Sequence, residues 1–195
     1  MSKLNNEALI DRLQEESKPG VGTHATGRYS GFPPVDASAR FEGGVLGSVA
    51  PTQSAAMTEL IRRGVSALPA LLDHLSDARA TKLTVGGEFF SAAWFSDEYD
   101  SRFDDEARSA KGVNSIDSHS RPFSTYTLKV ADFCYVAIGQ IVHRRLLAVR
   151  YQPSGNLVVN SPIECPGLAA AARAEWRGLK PAELERSLLG DFEKD

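Results

Sequence analysis

Cysteine is scarce in this chain, and its scarcity excludes several classes of protein. The chain has 195 residues and two cysteines, Cys134 and Cys165. A disulfide scaffold, or a zinc or iron–sulfur site with four cysteine ligands, needs more of them. There is also no apolar run near the roughly 20 residues that cross a bilayer, so we expect no membrane partner.

The chain also lacks a surplus of positive charge. It has 22 Lys and Arg against 25 Asp and Glu, which gives a formal charge of −3. Because binding to a phosphate backbone needs an excess of Lys and Arg, we predict no nucleic-acid partner. The first residues contain no basic stretch followed by an apolar one, so we expect a cytoplasmic protein whose cysteines are free thiols.

No residue spacing is typical of a metal site or of a catalytic site. The four histidines are never three or four residues apart, and no cysteine lies near one. The acids between 97 and 106 lack the alternation and the glycine of an EF-hand. His119 has Ser and Asp neighbours, but a catalytic triad is a spatial arrangement, not a sequential one. We therefore predict no catalytic residue, no metal ligand and no cofactor.

Helical periodicity is what the chain has in quantity. Apolar residues recur at steps of three and four, as on one face of a helix. The pattern predicts helices over 3–17, 52–64, 66–75, 130 to about 144, about 167–177 and about 181–192. Gly64 falls in the turn between two of them, and this predicts an αα-hairpin over 52–77.

A turn signal separates two short apolar runs within 146–159. The runs end at Tyr151 and begin again at Leu157, and Pro153, Gly155 and Asn156 lie between them. This pattern favours a β-hairpin. An irregular loop is the alternative, because an isolated pair of strands is marginally stable.

Two regions interrupt the helical pattern. Residues 18–51 hold seven of the chain's 16 glycines, which indicates irregular backbone. Residues 81–128 carry an aromatic run and then an acidic run. Within them, 97–106 contains six acids and one arginine, a local charge of −5 that leaves +2 for the rest of the chain.

Aromatic side chains beside acids are typical of a recognition surface, with apolar anchors inside a charged rim. We predict that this segment binds a partner. Its candidate contact residues are Trp94, Phe95, Asp97, Glu98, Tyr99, Asp100, Arg102, Asp104, Asp105 and Glu106. The alternative is that the aromatic residues anchor the segment to the core while the acids are only solvated.

The sequence from Leu60 to Asp77 resembles a HEAT repeat. It has a glycine in the turn, spaced leucines in the second helix and an aspartate after it. The sequence from Val130 to Ile141 resembles the opening of a following repeat, in which Cys134 takes a small-residue place. The resemblance implies a helical binding scaffold without catalytic residues, interrupted by the insertion 81–128.

Together these patterns predict a mainly α fold in one domain over 1–195, with HEAT-like helix pairs and a Gly-rich lead. Its parts are 1–51, the helix pair 52–77, the insertion 81–128 and the helices of 129–192 with a hairpin at 146–159. We expect a non-enzymatic protein-binding module. A bacterial immunity or inhibitor protein that blocks a basic toxin through the insertion is one concrete form. The alternatives are a ligand-binding protein or enzyme with a site between 18–51 and the insertion, and a structural or dimerising subunit.

Overall fold

The computed structural model describes residues 3–17, 54–86, 92–99, 121–144, 146, 148–151 and 156–192. Its helices are α1 (Asn6–Asp11), α2 (Ala55–Arg63), α3 (Leu68–Asp73), α4 (Val130–Ile141), α5 (Pro166–Trp176) and α6 (Pro181–Phe192). Its strands are β1 (Ala80–Gly86), β2 (Ala93–Phe95), β3 (Arg121–Pro122), β4 (Thr125–Lys129), β5 (Val149–Tyr151) and β6 (Leu157–Val159). Short 3₁₀ turns follow α1, α2 and α3, at Arg12–Glu15, Gly64–Ala67 and His74–Ser76.

Local signals set the limits of α2 and α3. The Ser54 hydroxyl accepts the backbone N–H of Met57 at 3.3 Å and so caps the start of α2. At the end of α2, Gly64 has φ +58°, a conformation that other residues rarely adopt. Pro69 lies in the first turn of α3, where its missing N–H costs little. Both helices pack against α4.

Helix α4 is the centre of the fold. Of its residues, all but Gln140 are buried, as expected for a helix that is apolar all round. It contacts α1, α2, α3 and β4. A Cβ on Gly139 would lie 2.8 Å from the carbonyl oxygen of Arg144 and from the Cβ of Leu146. The chain that leaves α4 therefore folds back directly over Gly139.

Strands β1 and β4 form an antiparallel pair. Buried and exposed residues alternate along both strands, and Leu83, Tyr126 and Leu128 face the core. This period of two is that of a half-buried strand. The pair leads straight into α4, because β4 ends at Lys129 and α4 begins at the next residue.

The second sheet has four strands in the order β3-β2-β6-β5. Strand β2 runs parallel to β6, with Trp94 opposite Val158, while the outer pairs are antiparallel. The β5–β6 pairing confirms the predicted hairpin within 146–159. The hairpin is not isolated, because the other edge of β6 bonds to β2.

The buried apolar residues of the helices and of both sheets form one cluster. It reaches from Leu9 in α1, through Phe133 in α4, to Trp176 in α5. Helix α5 contributes Leu168 and the small side chains of Ala169 and Ala172 to it. Leu184 of α6 packs at the margin of this cluster.

The predicted mainly α, HEAT-like fold is wrong: the structure mixes helices with two β-sheets. Residues 81–128 are not an insertion into a helical stack, since they contain β2, β3 and most of β1 and β4. These strands pair with each other and with β6, and they belong to the same core as α4. The resemblance to HEAT repeats arises from the apolar spacing of α2, α3 and α4. In a stack of helix pairs another helix would precede α4, but here the strand β4 does.

Candidate interaction site

The predicted contact residue Phe95 belongs to the core. Its side chain is 5% exposed. Its ring centroid lies 4.5 Å from that of Phe123 and 5.1 Å from that of Tyr126. The Arg121 guanidinium covers the ring at 4.9 Å from its centroid. Phe95 thus anchors β2, as the alternative interpretation of the aromatic run expects.

Trp94 lies on the other face of the same strand. Ala93 and Phe95 are buried while Trp94 is half-buried, which is the alternation of a strand inside a sheet. Its register partners are Val158 of β6 and Pro122 of β3. Trp94 is thus closer to solvent than Phe95, but it is not a fully exposed anchor.

The chain after β2 is fixed to the fold at Ser96 and Tyr99. The Ser96 N–H donates to the carbonyl oxygen of Val159 at 2.9 Å. The Tyr99 hydroxyl donates to Oε2 of Glu175 at 2.7 Å and accepts from Nε1 of Trp176 at 3.0 Å. Half-buried Tyr99 therefore clamps the start of the acidic segment onto the C-terminal end of α5.

Three carboxylates surround this clamp, and we name them the acidic edge: Asp97, Glu98 and Glu175. Asp97 and Glu175 are exposed and Glu98 is half-buried. The remaining predicted contact residues, Asp100, Arg102, Asp104, Asp105 and Glu106, lie outside the described residues. So does the whole of the Gly-rich region 18–51, so that the alternative site there stays a prediction.

A small groove borders the clamp on the side of α3. Its apolar wall consists of Leu68, Pro69, Leu72, Trp176 and Leu179, and it encloses about 80 Å³. At its rim, Nη2 of Arg177 lies 2.8 Å from Oδ1 of Asp73, and both side chains are about two-thirds exposed. Because Trp176 lines the groove and also bonds to Tyr99, this side chain joins the groove to the clamp. Sequence reasoning missed the groove, since its residues are about 100 positions apart along the chain.

A buried polar cluster adjoins Phe95 through the ring of Tyr126. The Tyr126 hydroxyl donates to Oδ2 of Asp132 at 2.8 Å, and the Ser161 hydroxyl donates to Oδ1 at 2.5 Å. The two hydroxyl oxygens are 2.9 Å apart. We name these three side chains the polar triangle. Sequence reasoning missed it, although an acid three residues after Lys129, at the start of an apolar helix, is a known capping signal.

Burial displaces the pKa values in the polar triangle. It raises the pKa of Asp132 to about 6, although the N–H of Lys129 and the two hydroxyls partly oppose the shift. Burial and the nearby carboxylate raise the pKa of Tyr126. Asp132 and Ser161 have no exposed surface, and neither residue lines the groove beside α3. In the next turn of α4, burial raises the pKa of Cys134, so its thiol stays protonated.

The described residues contain neither a metal-binding group of side chains nor a membrane-spanning helix. In the ranges that the structure covers, no three or more His, Cys, Asp or Glu side chains are grouped so that they could hold a metal ion. Among the helices of those ranges, none is both long enough and apolar enough to span a membrane.

Comparison with known proteins adds no relative: no family model, no curated protein and no solved structure matches the chain. The assignment of function therefore depends on the described geometry and on the charge pattern alone.

Proposed function

We propose that the chain is a non-enzymatic protein-binding module that recognises a basic partner through the acidic edge and the segment that follows it. The observation that carries the proposal is the Tyr99 clamp. Its bonds to Glu175 and Trp176 hold Tyr99, the last described residue before the acids of 100–106, against the end of α5. A recognition segment that is anchored at its base loses less conformational entropy on binding.

Charge gives the proposed partner its chemistry. Asp97 and Glu175 are exposed, and 97–106 as a whole carries −5. Such a concentration of negative charge accelerates association with a basic surface and has little effect on neutral ones. The apolar groove beside Trp176 offers a place for an adjacent side chain of the partner. One concrete form is an inhibitor that covers the active site of a basic toxin.

Charge reversal tests the proposal. The variant Asp97→Lys with Glu98→Lys, the wild type and a control would each be immobilised and offered to an extract of the source cells. The control is Glu15→Lys, which changes an exposed acid of the Arg12–Glu15 turn whose ion pair within the described residues is with exposed Lys82. We expect the wild type and the control to retain the same basic protein and the double variant to lose it.

The salt dependence of binding provides the second measurement. With the retained protein purified, the association rate constant with wild type should fall steeply between low and physiological ionic strength. It should be lower and nearly independent of salt for the double variant. Equal retention by all three immobilised proteins, or a retained partner that is acidic, would contradict the proposal.

A further inference from the structure

The polar triangle is a closed ring of three short contacts between oxygen atoms. Its edges join Tyr126 to Asp132 at 2.8 Å, Asp132 to Ser161 at 2.5 Å and Ser161 to Tyr126 at 2.9 Å. Two backbone groups complete the ring. The N–H of Lys129 donates to Oδ2 of Asp132 at 2.7 Å, and the N–H of Ile163 donates to the Ser161 hydroxyl at 3.2 Å.

Counting protons shows which state of Asp132 fits this ring. With an ionised Asp132, the two hydroxyls supply two protons, and both point at the carboxylate. The third edge, between Tyr126 and Ser161, then has no proton, although its oxygens are 2.9 Å apart. With a protonated Asp132 there are three protons for the three edges, and each edge is a hydrogen bond.

The ring is sealed from solvent and joins three parts of the chain. Asp132 and Ser161 are 0% exposed and Tyr126 is 6% exposed. Tyr126 belongs to β4, Asp132 begins α4, and Ser161 precedes α5, where its carbonyl accepts the N–H of Cys165 at 2.8 Å. An ionised carboxylate in such a place loses its hydration, so burial disfavours the charged form.

The charged groups around the ring do not neutralise a carboxylate there. From β4, Lys129 acts on Asp132 from a distance and its ammonium lies over the Tyr126 ring. After β6, Glu164 adds negative charge next to Tyr126. From the short link between the 3₁₀ turn after α3 and β1, Asp77 and Arg79 act on Cys134 in the next turn of α4, as does Glu7 from the N-terminal helix.

We propose that the polar triangle is a pH-sensitive latch, closed by three hydrogen bonds when Asp132 holds a proton and weakened when Asp132 loses it near neutral pH. The latch ties β4 and α4 to the start of α5. Because the pKa of Asp132 is raised to about 6 from its ordinary 3.8, the folded protein binds more protons than the unfolded chain between these values. Stability is therefore greatest below that window and falls as the pH rises through it.

The direct test is the pH titration of the side-chain carboxyl carbon of Asp132 in wild-type protein by NMR. We expect a midpoint near pH 6, with the backbone N–H signal of Ile163 shifting at the same midpoint. A midpoint at or below about pH 4.5, the range of an ordinary aspartate, would overturn the proposal. This test requires no variant to fold.

Substitution of the carboxyl by an amide tests the energetic part. Asp132→Asn still supplies a proton to each of the three edges, because its amide nitrogen can donate to Ser161 while its oxygen accepts from Tyr126. Between pH 5 and 7.5 the unfolding equilibrium constant of wild type should rise about tenfold through this group. This tenfold rise should be absent in Asp132→Asn when both proteins are unfolded with urea across the same pH range.

The matched control is Glu59→Gln, which makes the same change at a carboxylate paired with Arg62 and Arg63. It should keep the wild-type dependence between pH 5 and 7.5. The latch is refuted if Asp132→Asn retains that dependence. It is equally refuted if the control loses the dependence to the same extent.

Discussion

At the scale of single residues, Gly139 is the position where the fold leaves least room. It lies in α4, and the chain of Arg144 and Leu146 passes over it within 3.0 Å of where a Cβ would be. Two of the three nearest atoms belong to the backbone, which cannot move aside as the end of a side chain can. The helical pattern of the sequence does not predict this constraint, because the turn that crosses α4 has no periodic signal.

We predict that Gly139→Ala lowers the free energy of unfolding by about 1–3 kcal/mol, because overpacking forces the turn away from α4. The matched control is Gly190→Ala in α6, where an added Cβ meets nothing within 4 Å. The control should raise stability by about 0.5–1 kcal/mol, since alanine is the better helix former. Urea unfolding of both variants measures the two effects, and equal signs would contradict the packing described at Gly139.

The environment of Glu59, the acid of α2, favours its charged form. Its hydrogen bonds with Arg62 and Arg63 outweigh the effect of burial and lower its pKa to about 2. Arg63 also donates to the carbonyl oxygen of Leu4 at 2.6 Å and to Asn6 at 2.8 Å. Glu59 thus orients the arginine that holds the N-terminal helix.

We predict that Glu59 stabilises the fold above about pH 4.5 and that this contribution is lost as the pH falls towards 2. The sign follows because the folded pKa lies below the unfolded one, so acid protonates the unfolded chain first. Glu59→Gln should remove this part of the acid dependence, measured by urea unfolding between pH 2.5 and 5. If the free energy of unfolding of the variant fell with acid as much as that of the wild type, the ion pairs with Arg62 and Arg63 would add nothing to stability.

At the scale of elements, helices were predictable and most strands were not. Helices α4, α5 and α6 begin within a residue or so of the predicted positions, because their apolar spacing repeats over three turns. Strands β2 and β3 have three and two residues, too few for a period of two to show. β2 also lies inside an aromatic run. Because Trp94 and Phe95 are both aromatic, the sequence does not show that one is half-buried and the other buried.

The candidate site was also predictable only in part. The sequence shows that acids and aromatics are adjacent in 94–106, but not which aromatic residues face the core. Phe95 is taken into the core by Phe123 and Tyr126, which are 28 and 31 positions away along the chain. Tyr99 is clamped by Glu175 and Trp176, which are more than 70 positions away. Such contacts depend on the fold and leave no local pattern.

The Tyr99 clamp allows a prediction about how α5 holds the segment after β2. Tyr99→Phe keeps the ring but leaves Glu175 and the indole N–H of Trp176 without their shared partner. We expect a loss of about 1 kcal/mol in the free energy of unfolding. We also expect a shift in tryptophan emission, since the indole N–H becomes available to solvent. Unchanged stability and emission would show that the hydroxyl does not fasten the segment.

At the scale of the whole molecule, the charge is distributed unequally between the surface and the core. The formal charge of −3 conceals the −5 of 97–106, a segment that Tyr99 ties to Trp176 of the groove. Among the described residues, Asp132 is an acid with no exposed surface, and the fold gives it hydrogen-bonding partners instead of a counter-ion. The net charge of the chain disfavours a nucleic-acid partner. Whether a given acid attracts a basic partner or responds to pH depends on whether it is exposed or buried.

The parallel pairing of β2 with β6 has a consequence for how the protein is made. Ala93 and Leu157 are register partners, yet 64 residues of chain separate them. During synthesis, β2 leaves the ribosome long before β6, and it has no partner on that edge until β6 follows. Non-local pairing of this kind slows folding and exposes an unpaired strand. The nascent chain therefore passes through a stage at which the edge of β2 that β6 later covers is unpaired.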